Sequence, residues 1–141
     1  MLLHGSIVAT LFAEGYSVNE IYSIFNNYAK KIKYFEYENI VKLIGGIIFK
    51  GEISIMGFSS GNKIEKYIRD FSNKKNFCNI TDIKFPLFIS SVNLTNGDTY
   101  IFTSQNLIKD DKVKYSNKID IAKAVRASCS YPGIFEPCNI N

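Results

Sequence analysis

From Phe85 to Leu94 the chain is almost unbroken in apolar character, and Asn96-Gly97 and then Thr99 to Thr103 follow directly. This stretch restricts the fold more than any other. An apolar run of that length bounded by polar residues predicts a strand covered on both faces. Asn-Gly is the strongest short-range hairpin signal, and Thr-Tyr-Ile-Phe-Thr predicts the returning strand. A sheet is therefore required, and the remaining residues have to cover it.

The covering elements read as helices. Ser6 to Ala13 is small or apolar on every side, as befits a helix inside a larger protein, and Gly15 is placed to end it in the left-handed conformation. Ser17-Val18-Asn19-Glu20 has the spacing of a capping box, after which Ile21, Ile24, Phe25, Tyr28 and Ile32 recur at helical intervals to about Lys33. Between Tyr34 and Met56 the pattern breaks around Gly45-Gly46 and predicts a broken helix or loop. Lys63 to Phe71 carries an apolar stripe of Ile64, Tyr67, Ile68 and Phe71 opposite charged residues, the pattern of a surface helix. Lys109 to Lys118 reads as a charged loop and Ile119 to Ala127 as a helix, which Ser128 to Pro137 is too rich in Ser, Pro and Gly to continue.

Composition narrows the function classes. With 141 residues, 46% of them hydrophobic, the chain suits one globular domain, and it holds too much Ile, Phe and Tyr to stay disordered. The net charge of +4 is small and scattered, which argues against nucleic acid as a partner. Cys78, Cys129 and Cys138 lack metal-ligand spacing and cannot all pair, which points to a reducing compartment. No window approaches the roughly 18 consecutive apolar residues of a membrane span, and Met1 to Ala13 lacks the cationic start and cleavage site of a signal peptide. The expected location is the cytoplasm.

Few residues offer chemistry. Gly57-Phe58-Ser59-Ser60-Gly61 has the G-x-S-x-G spacing of a nucleophile elbow, in which glycines let the backbone turn sharply under an exposed serine. A plain helix-entry turn is the simpler reading of the same spacing. A serine needs a base, and the only histidine, His4, lies upstream, so only a serine-aspartate pair remains open. Lys30, Lys31 and Lys33 form a solvated helix end rather than a headgroup site. Cys129, without a neighbouring histidine, reads as structural.

Several segments together resemble the patatin-like phospholipase family. The most specific runs from Ala124 to Pro137, Ala-Val-Arg-Ala-Ser-Cys-Ser-Tyr-Pro-Gly-Ile-Phe-Glu-Pro, similar to the family's A-V-R-A-S-x-A-x-P-G-x-F-x-P. Phe85-Pro86-Leu87 to Gly97 resembles its inner strand and turn, with Asn93 where an aspartate is common. Gly57 to Phe71 resembles a family glycine loop and helix, and Gly5-Ser6-Ile7-Val8-Ala9 the residues that follow the nucleophile.

The resemblance implies a three-layer α/β/α domain with a largely parallel central sheet, incomplete here, so that residues 1–141 form a partial patatin-like domain. It implies hydrolysis of acyl esters by a serine-aspartate dyad in lipid metabolism, without a cofactor, on a lipid or acyl-ester substrate, and leaves room for peripheral contact with a membrane. In this register Leu3 stands at the nucleophile position, the glycine-rich oxyanion loop would precede Met1, and the catalytic aspartate would follow Asn141. No catalytic, cofactor or metal residue is therefore assigned within the chain, and Ser59 falls on a loop beside the site. A truncated or split reading frame, inactive alone and marginally stable or aggregation-prone, is the expectation. The alternatives are a non-catalytic lipid-binding or interaction module, and an active esterase that pairs Ser59 with Asp82 or Asp98.

Overall fold

The computed structural model describes residues 5–27, 61–107, 109, 112–130 and 136–140. The helix or loop expected over 34–56, Lys30, Lys31 and Lys33, the turn from Gly57 to Ser60, and Leu3 and His4 lie outside the described residues.

Helix α1 spans Gly5–Ala13. It stops as its sequence dictates: Gly15 takes φ 84°, and Gly15 N and Tyr16 N donate back to the carbonyls of Phe12 and Leu11, each at 3.0 Å. The capping box then opens α2, helical over 18–27, with Ser17 N donating to Glu20 Oε2 at 2.7 Å and Glu20 N to Ser17 Oγ at 3.3 Å. Helix α3 spans Asn62–Lys74 and turns Ile64 and Ile68 inward. Helix α4 spans Ile121–Cys129 and starts at Asp120, whose side chain accepts from Lys123 N.

Among the described residues three strands form a sheet, β1 (Phe88–Val92), β2 (Thr99–Thr103) and β3 (Val113–Ser116), in the order β1-β2-β3. The hairpin is as expected: β1 pairs antiparallel with β2 from Phe88 opposite Thr103 to Val92 opposite Thr99, and Gly97 supplies the positive φ of the turn at 77°. β3 adds parallel to β2. Helices plus a small mixed sheet make an α/β arrangement, consistent with an incomplete domain of the three-layer kind.

Two expectations are corrected. The charged loop expected over Lys109 to Lys118 contains β3, because Val113 and Tyr115 alternate with Lys114 and Ser116 at the strand period of two. Lys114 stands opposite Tyr100 and pairs with Asp98, so its charge is used across the sheet. The second correction is β1, of which one face is buried among the described residues and the other is not: Ile89 is 1% exposed, whereas Phe88 and Val92 are 49% and 58% exposed.

The core lies between the helices and the inner face of the sheet. Leu11 from α1, Ile64 and Ile68 from α3, Ile121 and Val125 from α4, and Ile89 and Phe102 from the strands belong to one continuous apolar cluster. Each fully buried side chain of this kind contributes about 1.5–3 kcal/mol relative to exposure.

Candidate functional site

The segments that carry the family resemblance are far apart in sequence and converge on α4. Ser6, on the first turn of α1, places its Oγ 3.5 Å from Cys129 Sγ, on the last turn of α4. Gly61, at the end of the glycine loop, lies against Arg126 of the Ala-Val-Arg-Ala-Ser stretch. Its φ of 62° and the 3.1 Å that would separate an added Cβ from Arg126 Nε leave little room for any side chain.

Charge fixes this meeting point. Arg126 Nη1 donates to Glu65 Oε2 at 2.9 Å, and Arg69 Nη2 donates to the other oxygen, Oε1, at 2.8 Å. Arg69 Nη1 continues to Asp120 Oδ2, while Asp120 Oδ1 accepts from Lys123 N at 3.0 Å. The chain Arg126–Glu65–Arg69–Asp120 therefore ties α3 to α4 near both ends of α4. Burial alone would raise the Glu65 carboxyl, but hydrogen bonds from Arg126 and Arg69 outweigh it and hold the group below the usual carboxylate range.

The remaining candidates take structural tasks. Burial pushes the Cys129 thiol up, against a smaller opposite effect from Ser6, so it is a poor nucleophile near neutrality. Asp82 Oδ2 accepts from the amides of Cys78 and Asn79 at 2.9 and 2.8 Å, capping the short 3-10 turn Ile80–Asp82, and these bonds keep its carboxyl below the ordinary value. Asp98 receives Lys114 Nζ and Asn96 Nδ2. Ser59 lies outside the described residues.

One group escapes sequence reasoning. Glu14, beside Gly15 at the end of α1, carries no signal of burial in the sequence, and it is 4% exposed. Burial pushes its carboxyl up to about 7, opposed by nearby Ser72 and Lys75, although neither carboxylate oxygen completes a hydrogen bond. The Thr10 and Ser72 hydroxyls are likewise buried without partners. No periodicity marks this cluster, because Glu14 and Ser72 meet only once α1 and α3 have packed.

A small apolar cavity of about 20 Å³ lies between the first three helices, lined by Ile7, Ile24, Phe25, Ile64, Tyr67, Ile68 and Phe71. That is space for about one water, not for an acyl chain. Among the described residues, no helix is long and apolar enough to cross a membrane.

The uncharacterized protein R571 of Acanthamoeba polyphaga mimivirus is 34% identical over 137 residues, a stretch covering 94% of this chain and 40% of that protein. The uncharacterized protein YqhO of Bacillus subtilis (strain 168) is 29% identical over 142 residues, 96% of this chain and 46% of that protein. The chain thus spans less than half the length of these curated relatives. No solved structure matches it. The patatin-like phospholipase family matches residues 4–141, a span that includes Gly61, the opening helix and the Ala-Val-Arg-Ala-Ser segment that meet at α4, and the chain belongs to that family.

Proposed function

We propose that this chain is part of a lipid acyl hydrolase of the patatin-like kind, that it supplies the framework around the reaction centre, and that alone it hydrolyses no ester. The observation that carries the reading is the family match over residues 4–141. The motif spacing of the sequence, with Gly5 taken as the glycine two residues beyond the nucleophile, supports Leu3 as the residue in the attacking serine's place. In the reaction implied, a serine hydroxyl attacks the ester carbonyl, the alcohol leaves, and water hydrolyses the acyl-enzyme, with an aspartate as base. Leucine has no atom that can begin that sequence.

The described residues would then position the centre. The described part of α1 opens at Gly5, two residues beyond Leu3 in sequence, so this helix follows closely on the position the resemblance gives to the nucleophile. α4 and the Arg126–Glu65–Arg69 chain hold the first turn of α1 and the first turns of α3 in one place. The reading with Ser59 as nucleophile is disfavoured, because Asp82 and Asp98 are both engaged elsewhere. A cytoplasmic location is supported by the cysteine set of the sequence, Cys78, Cys129 and Cys138, which cannot all pair with one another.

The test is hydrolysis of p-nitrophenyl acyl esters by the chain and by Ser59→Ala. Equal inertness is expected. Turnover that Ser59→Ala abolishes would refute the proposal and establish the internal elbow as the active site.

A further inference from the structure

Asn96-Gly97 turns the hairpin, and it is also the only Asn-Gly pair in the sequence. The backbone nitrogen of a following residue can attack an asparagine side chain, and glycine, which lacks a Cβ, obstructs that approach least. Each other asparagine with a successor precedes a residue that bears a side chain.

The turn holds every group the attack would use. Gly97 N, the nucleophile, donates to Asn93 O at 2.8 Å. Asn96 Oδ1 accepts from Asp98 N at 3.0 Å and Asn96 Nδ2 donates to Asp98 Oδ2 at 2.9 Å, so both ends of the electrophilic amide are tied to one residue. Asp98 is held in turn, its carbonyl accepting from Asn93 N at 2.9 Å and its Oδ2 from Lys114 Nζ on β3. Asn93 Oδ1 accepts from Thr95 N at 2.8 Å, which fixes the near side of the loop. Asn96 and Gly97 are exposed, so base from solvent reaches the turn once these bonds part.

A backbone nitrogen attacks only after giving up its proton, and an N–H inside a hydrogen bond gives it up on opening, as in hydrogen exchange. We propose that Asn96-Gly97 is a covalent modification site that the closed hairpin keeps latent and that opening of the turn releases to react. In the open turn hydroxide removes the Gly97 N–H proton and the nitrogen bonds to Asn96 Cγ. The Cγ–Nδ2 bond then breaks, the departing nitrogen takes a proton from water, and ammonia and hydroxide are released. Water opens the resulting cyclic imide at Cγ to give aspartate, or at the backbone carbonyl to give isoaspartate, in which the chain continues through Cγ. No electron changes hands.

Either product removes the Nδ2 donor and adds a carboxylate beside Asp98, so repulsion replaces a hydrogen bond and Lys114 faces two anions. The modified turn closes less well, and the change becomes a lasting record of opening. The proposal concerns the hairpin alone and does not rest on ester hydrolysis.

The intact chain is incubated at about pH 8.5, folded and in urea above its unfolding midpoint, and position 96 is followed by peptide mapping that separates asparagine, aspartate and isoaspartate. In urea Asn96 should convert ahead of the other asparagines, and in the folded chain at least about tenfold more slowly. Asp98→Ala removes the acceptor of Asn96 Nδ2 and the partner of Lys114. Relative to its own rate in urea, its conversion when folded should rise by the same factor as Gly97 amide exchange measured by NMR. In the native chain, urea below the midpoint should raise both rates together, a comparison that holds whether or not the variant folds. Asn96→Asp, one of the products, should exchange its Asn93 amide faster than the native chain. Equal conversion in folded and unfolded chains overturns the proposal. So does an Asn96 no more reactive in urea than its counterparts, conversion that does not follow Gly97 exchange, or an Asn93 amide in Asn96→Asp that exchanges no faster.

Discussion

Replacing Glu14 by Gln tests whether the buried carboxyl at the end of α1 controls how stability follows pH. Glu14 is 4% exposed, and its carboxyl moves from 4.5 to about 7 on folding. At about 1.36 kcal/mol per pH unit, the difference is worth about 3 kcal/mol. Its sign follows from proton binding. Between these values the folded chain keeps a proton that the unfolded chain has released, so stability is highest below pH 4.5 and falls as pH rises through about 7. Gln carries no charge at any pH and is nearly the same shape, so the variant should match the native chain near pH 4.5 and exceed it by up to about 3 kcal/mol above pH 8. The assay is urea unfolding of both proteins at several values between pH 4.5 and 8.5, comparing midpoints at constant slope. Glu20, Glu65 and Asp82 have lowered carboxyls and finish titrating at the acid end, so they do not imitate the effect. Parallel curves for the two proteins over this range would refute the reasoning.

Gly61→Ala should destabilise by about 1–2 kcal/mol, because an alanine at φ 62° pays the left-handed penalty and meets Arg126 at 3.1 Å; thermal denaturation measures it. Glu65→Gln should cost about 2 kcal/mol in chemical denaturation, since Arg126, with a side chain only 16% exposed, loses its charged acceptor. The native chain itself should lose that increment as pH falls through the lowered carboxyl value of Glu65, while the variant should not.

Local signals carried much of the architecture. Gly15 and the Ser17–Glu20 capping box act within a few residues of themselves, so the end of α1 and the start of α2 were legible directly. The stripe of Ile64 and Ile68 likewise placed α3, and Asn96-Gly97 the hairpin. β3 was hidden because its four residues carry a lysine between apolar neighbours, and its partner Thr99–Thr103 lies across the charged Lys109 to Lys112 stretch. The exposed face of β1 could not be read from Phe85 to Leu94, since an apolar run reports affinity for a cover and not the cover itself. At the candidate site, motif order revealed the family, whereas the Glu65–Arg126 and Arg69–Asp120 contacts join residues 61 and 51 positions apart and leave no periodic trace. The buried Glu14 is illegible for the same reason.

Asp120 divides its two oxygens between the first turn of α4 and Arg69 of α3. Fraying of α4 from that end therefore cannot proceed without releasing a cation on another helix, and Arg69 in turn is shared with Glu65. The two helices should open as one cooperative unit, exchanging their innermost amides at a common free energy, while α1 and the hairpin open on their own schedules.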